Sequence, residues 1–284
     1  RAMRQSSSTV TSSGETAATP RRVPGRSFDL RPAHPAQGSF TGSRVMSIKG
    51  VFYDLGGTLF TYRNMRRTSG PLLMDAARQM GLDGEPADIG RAYQRASGEI
   101  SRTYAELDYY LHRDLFRDTF LRFVAHMDGR FDEDVYQQYQ ERQHEALLTH
   151  LHLKEDCLET LAHLQGLGLY QSIVSNIDDD MLEPLVARES LHRYLDHWTS
   201  SEAASSCKPH RRFFEVSLEK AELSAEEVLF VGDSPEHDVH GASQVGMKTV
   251  LIVEDGIEPP LQSGRETPEP DHVITSLAQI KDLI

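Results

Sequence analysis

The chain has 284 residues, 38% of them hydrophobic, and two cysteines; this is enough for a real core in one large or two small domains. It contains no apolar run near the roughly 18 residues of a membrane span, and two cysteines cannot form a disulfide framework, so a reducing, cytoplasmic setting is expected. With 30 basic and 43 acidic side chains the net charge is −13, which excludes a general nucleic-acid binder but leaves room for a local small-anion site.

Residues 1–45 hold seven arginines against Glu15 and Asp29, are rich in Ser, Thr, Pro and Gly, and show no apolar periodicity. They read as a disordered tail, with the folded protein expected to begin at Met46. Gly50–Tyr53 is a short apolar run ending at Asp54, a buried strand followed by a Gly56-Gly57 turn. From 63 to 152 the spacing is helical. Leu72, Leu73, Ala76, Ala77 and Met80 share one face, closed by Gly81. Ile89, Ala92, Tyr93, Ala96 and Ile100 share a second. Tyr104, Leu107 and Leu111 open a third, which continues through Phe116, Phe120 and Phe123 as bundle core. Asp132 caps a fourth, with Val135, Tyr139, Ala146 and Leu147 inward.

Beyond 153 helices and strands alternate. Leu158 to Leu164 is a helix closed by Gly166 and Gly168, and Tyr170–Val174 a strand ending in Ser175-Asn176. Asp178–Glu189 is a helix with Pro184 near its first turn; Asp196–Ser200 is a strand, and Pro209 opens the next helix. Val228–Val231 is a strand ending in Gly232-Asp233, Thr249–Val253 and His272–Ile274 are further strands, and Ser276–Ile284 is a terminal helix. This alternation predicts a parallel α/β sheet covered on both faces.

In such a sheet ligands gather beyond the carboxyl ends of the strands. Asp54, Ser175 and Asp233 end three of the predicted strands, Lys208 opens a helix between them, and Asp238 lies five residues past Asp233. A carboxylate beside the backbone N–H groups of a glycine turn can attack phosphorus in line. A hydroxyl and a lysine can hold the remaining phosphoryl oxygens. Carboxylates at these positions suit Mg²⁺, which takes hard oxygen ligands.

The segments VFYDLGGTLF, IVSN, KPHRRFF and VLFVGDSPEHDVHGASQVGM resemble, in order and spacing, the four motifs of the haloacid dehalogenase superfamily, most of whose members are Mg²⁺-dependent phosphatases. The resemblance covers about 46–284. It implies a Rossmann-like core over 46–62 and 153–284, interrupted by an all-helical C1 cap over 63–152 that closes on the substrate. It implies Asp54 as the nucleophile that forms an aspartyl phosphate, with Ser175 and Lys208 as its catalytic partners. Phosphate falls to Leu55, Gly56, Ser175, Asn176 and Lys208, and Mg²⁺ to Asp54, the Gly56 carbonyl, Asp233 and Asp238. The implied partner is a small phosphorylated metabolite, with no nucleic acid and no membrane.

The family's first motif usually carries a second aspartate, the general acid and base, where this chain has Gly56. Such help is worth roughly 10²–10⁴ in rate. One reading is a phosphatase served by another group, such as His112, His126 or His237, each of which otherwise reads as a solvated surface histidine. A second is another family reaction. Phosphonate hydrolases need a cap lysine and 63–152 has none; metal-free 2-haloacid dehalogenases are disfavoured by Asp233 and Asp238. A third is a non-catalytic protein that binds a phosphorylated ligand or a partner. Arg63, Asn64, Arg66 and Arg67 are either an anion-binding group or a solvated helix start. Cys207 reads as a passive thiol, Asp178–Asp180 as a helix N-terminal charge cluster, and 254–270 as a surface loop.

Overall fold

The computed structural model describes residues 47–63 and 65–284. The expectations for 1–45, Met46, Asn64 and the Arg66 side chain fall outside the described residues. Strand β1 (Gly50–Tyr53) is followed by β2 (Phe60–Thr61), then by four helices: α1 (Met65–Gln79), α2 (Pro86–Tyr104), α3 (His112–His126) and α4 (Glu133–His150). The chain returns through β3 (His152–Leu153), which pairs antiparallel with β2, Phe60 opposite Leu153. One two-stranded hairpin therefore carries both crossings into and out of the helical insert. The insert has its own core, with Leu73, Ala77, Ile89, Ala96, Phe120 and Phe123 buried together. Asp132 caps α4 as its sequence predicts, accepting from the backbone N–H of Asp134 and Val135.

The rest of the chain is α5 (Cys157–Gly166), β4 (Tyr170–Ser175), α6 (Asp179–Arg188), β5 (His197–Ser200), α7 (Ser201–Ala204), α8 (Arg211–Ala221), β6 (Val228–Gly232), α9 (His240–Val245), β7 (Lys248–Ile252) and β8 (His272–Ile274). The sheet is six-stranded and parallel, in the order β5-β4-β1-β6-β7-β8, the expected Rossmann-like α/β arrangement. Strands buried on both faces read as continuous apolar runs, and β1 and β6 are buried throughout. Val51 and Tyr53 face a core shared with Leu161, Leu182 and Leu185. Phe52 faces the opposite core, with Phe213, Phe214 and Phe230. From β1 the chain moves outward to β4 and β5, then jumps back to β6 on the other side of β1. The carboxyl ends of β1 and β6 thus border the crevice at the topological switch point.

Several local expectations are corrected. Tyr104 ends α2, and 105–111 is a loop rather than the start of the third helix. Leu107 and Phe116 are 48% and 47% exposed, outside the bundle core. Pro184 is the sixth residue of α6. Pro209 precedes α8, whose N-cap is His210. The C-terminal helix is a 3₁₀ segment, Leu277–Asp282, held by a Ser276–Gln279 capping box. The β2–β3 hairpin was not visible in the sequence, because two-residue strands carry no readable period.

Candidate active site

Three strand ends and one helix approach deliver the polar side chains. The Asp54 backbone N–H donates to the Val231 carbonyl (2.9 Å), which continues the β1–β6 ladder one residue past β1. Ser175 closes β4 and Asp233 follows β6. Lys208 is fixed from behind by Asn176: the Lys208 backbone N–H donates to Asn176 Oδ1 (2.7 Å), and Asn176 Nδ2 donates to the Lys208 carbonyl (2.9 Å). Both ends of the Asn176 amide thus position Lys208.

The side chains meet. Ser175 Oγ donates to Asp54 Oδ1 at 2.8 Å. Lys208 Nζ donates to Asp54 Oδ1 and to Asp238 Oδ1, each at 2.6 Å, and lies 5.5 Å from the centre of the Phe230 ring. The other Asp238 oxygen accepts from the Ser234 backbone N–H at 2.9 Å. Asp54, Asp233 and Asp238 each offer an oxygen within 4.8 Å of the others. Leu55 is buried and its carbonyl accepts from the N–H groups of Leu59 and Phe60 (2.9 Å each), closing the turn after Asp54. Gly57 has φ +74°, and a Cβ there would overlap the Asp233 carboxylate.

One ammonium group pairs with two carboxylates, Asp54 and Asp238, and the third, Asp233, lies beside them. Burial, and then repulsion from Asp54 and Asp238, raises the Asp233 carboxyl well above its ordinary range. Asp238 is pushed up to about 6, by burial first, with Lys208 pulling against it. Burial would lower Lys208, but Asp238 and Asp54 outweigh it and hold the ammonium above its usual value. Hard oxygen donors with unbalanced negative charge form a site suited to a divalent cation.

A cleft lined by Tyr104, Leu107, Tyr110, Lys208, His237 and Arg265 opens onto this cluster. His112 is 7% exposed, not a solvated surface histidine, and its Nδ1 has no hydrogen-bond partner. Burial, then Lys208, lowers His112 to about 4, and the same two causes bring His237 to about 4. His126 instead pairs with Glu99 in the insert (3.1 Å). Arg63 donates to Glu254 (3.0 Å), together with Thr61 and Lys154, and so braces the hairpin against the end of β7. Arg67 is exposed. Burial pushes the Cys207 thiol up to about 11, the passive state expected of it. Its backbone N–H donates to the Asp108 carbonyl (2.8 Å), tying the 105–111 loop to the segment between α7 and α8 that carries Lys208.

Three residues missed in the sequence shape the site. Asp178 leaves its own helix to accept from the His112 and Arg113 backbone N–H groups (2.8 and 2.9 Å), capping α3 across the crevice. Glu236 accepts from Ser263 N and Oγ (2.8 and 2.7 Å) and from Gly264 and Arg265 N–H, so it fixes the loop that carries Arg265. Tyr62 lies over the Gly56-Gly57 turn. Burial, followed by Asp233, Asp54 and Asp238, lifts its phenol well above the usual value, so it keeps its proton. The one sequence signal for Tyr62 was the Phe60–Tyr62 alternation of an extended segment.

The family model of haloacid dehalogenase-like hydrolases matches residues 98–252. The (S)-2-haloacid dehalogenase 4A of Burkholderia cepacia is 30% identical over 245 residues, 84% of this chain and 96% of that protein. The ribulose-1,5-bisphosphate 5-phosphatase of Halopiger xanaduensis is 27% identical over 242 residues, 82% of this chain and 98% of its own. Among solved structures, the HAD-hydrolase YfnB of Bacillus subtilis bound to magnesium superposes with a TM-score of 0.67 at 17% identity, covering 84% of this chain and 98% of YfnB. Among the described residues, no helix is long and apolar enough to cross a membrane.

Proposed function

The chain belongs to the haloacid dehalogenase-like hydrolases, and we propose that within this family it is a phosphatase of small phosphate monoesters, sugar phosphates among them. The observation that carries this reading is the convergence of Asp54, Ser175, Lys208, Asp233 and Asp238 on one point at the switch crevice. Asp54 is the nucleophile: its carboxylate attacks phosphorus, the ester oxygen leaves, and water then releases phosphate from the aspartyl intermediate. Ser175 and Lys208 orient Asp54 and take phosphoryl oxygens. The backbone around Leu55 and Gly56 receives the others, while Asn176 holds Lys208 in place. Asp54, Asp233, Asp238 and the Gly56 carbonyl would hold Mg²⁺; three crowded hard-oxygen donors with one lysine between them fit that ion. When bound it supplies positive charge against the phosphoryl group.

In this reading 46–62 and 153–284 form the core, and 63–152 is a cap. The separate core of the insert and its paired crossing strands support that division. The cap excludes water when it closes. The sugar-phosphate class is supported by the Halopiger relative. The 30% identity to a haloacid dehalogenase supports a second reading, in which Asp54 displaces halide from carbon. Three clustered carboxylates favour phosphorus. The deciding experiment measures phosphate release from sugar phosphates with and without Mg²⁺, using Asp54→Asn as control. Mg²⁺-dependent release lost in the control is expected. Equal release by both proteins refutes the reading, and metal-free halide release from 2-haloacids establishes the second one.

A further inference from the structure

Expulsion of an alkoxide from a phosphate ester leaves negative charge on the departing oxygen, and a hydrogen-bond donor there lowers the barrier. The polar side chains on Asp54 are already committed, since Ser175 and Lys208 both donate to its Oδ1. On the side of the glycine turn the structure holds a different group. A Cβ built on Gly56 would overlap the Tyr62 hydroxyl and come within 2.7 Å of Tyr62 Cζ. A Cβ on Gly57 would overlap the Asp233 carboxylate and lie 3.0 Å from the Tyr62 ring. Tyr62 and Asp233 therefore crowd the same turn, and Asp233 lies within the 4.8 Å carboxylate cluster. The Tyr62 side chain is partly buried at this turn, and burial with the three nearby carboxylates keeps its phenol protonated. The Tyr62 O–H fills space that any side chain at position 56 would enter.

We propose that the Tyr62 hydroxyl is the hydrogen-bond donor to the leaving-group oxygen, standing in the space that Gly56 leaves open. The proposal rests on the phosphatase reading. As the Asp54 Oδ–P bond forms and the P–O ester bond breaks, the electron pair passes to the ester oxygen. Tyr62 O–H stabilises that oxygen, which takes its proton from water. The phenol stays protonated throughout, and water then cleaves the Asp54 phosphoryl ester. His237 lines the cleft together with Lys208.

The test is leaving-group dependence. Tyr62→Phe and wild type are compared on an alkyl phosphate such as glycerol 3-phosphate and on 4-nitrophenyl phosphate, whose leaving group carries its own charge. In the variant, kcat should fall about 10²-fold on the alkyl ester, at least tenfold more than on the aryl ester, with KM changing less than kcat. A similar fall on both esters, or a fall confined to KM, overturns the role and leaves Tyr62 as a packing residue. If neither ester shows turnover that Asp54→Asn abolishes, the phosphatase reading fails and the Tyr62 role fails with it. Asp54-dependent turnover that Tyr62→Phe lowers equally on both esters removes the Tyr62 role alone.

Discussion

Asp233→Asn separates the demands of the site from those of the fold. Asp54, Asp233 and Asp238 present oxygens within 4.8 Å of one another; two unit charges at that distance repel by about 3 kcal/mol at an effective dielectric of about 20. Asp233 takes part in two such pairs, and unlike Asp54 and Asp238 it has no ion pair to Lys208. A carboxyl can relieve the repulsion by binding a proton, which limits the cost of folding to about 4 kcal/mol at pH 7. Asparagine keeps the shape and removes the charge. Without divalent cation, the variant should therefore be more stable than wild type by about 2–4 kcal/mol. That corresponds to a thermal midpoint roughly 5–10 °C higher for a chain of this size.

The sign with pH follows from the raised Asp233 carboxyl. The folded protein holds this proton over a range where the unfolded chain has released it, so stability falls as pH rises from the ordinary carboxyl value through the raised one. The advantage of the variant should accordingly shrink towards pH 4 and grow towards pH 7. Mg²⁺ should raise the wild-type midpoint by mass action and should neither stabilise the variant nor restore phosphate release. Scanning calorimetry of both proteins, with chelator and with Mg²⁺, measures all of this. A variant no more stable than wild type in chelator, or one that keeps the full Mg²⁺ shift, would refute the account of the cluster.

Other substitutions probe neighbouring parts of the site. Lys208→Met should lower kcat by about 10²–10³, read as phosphate release, because the ammonium that bridges Asp54 and Asp238 is gone. His112, held neutral at about 4 by burial, should make the protein less stable as pH falls. Below about 6.5 the unfolded chain takes a proton that the fold refuses until about 4, a loss of up to about 3 kcal/mol. His112→Phe should flatten that limb in denaturant titrations at pH 7 and pH 5. Asp178→Ala uncaps α3 and should cost about 1 kcal/mol, measured as a lower urea midpoint. Gly56→Asp should destabilise by about 1–3 kcal/mol through overlap with Tyr62. Gly56→Asp combined with Tyr62→Ala should recover most of that loss in the same titration.

Much of the carboxylate–lysine cluster was legible in the sequence because Asp54, Ser175 and Asp233 sit at or just past strand ends, where the chain itself announces them. β1 and β6 are buried on both faces, so each appears as an unbroken apolar run with an aspartate just beyond it. The helical insert was legible too wherever a face repeated over several turns, as in α2 with Ile89, Ala96 and Ile100 buried. What escaped has a common cause: residues whose work is done across the chain carry no local signature. Asp178 reads as one more acid opening α6, yet its carboxylate caps α3, 65 and 66 positions away. Glu236 reads as a charged residue within the fourth motif, yet it holds the backbone at 263–265. The third predicted helix failed for the opposite reason, since Tyr104, Leu107 and Leu111 do repeat at helical spacing. Tertiary contacts override that pattern: the Asp108 carbonyl accepts from Cys207, and Tyr110 stacks its ring edge on Tyr104 at 5.1 Å, so 105–111 is drawn out as a loop over the crevice. Gly56 combines both lessons. The sequence shows that a side chain is missing there, and the fold shows which one fills the gap: Tyr62, just past β2, whose partner strand β3 lies some ninety residues further along the chain.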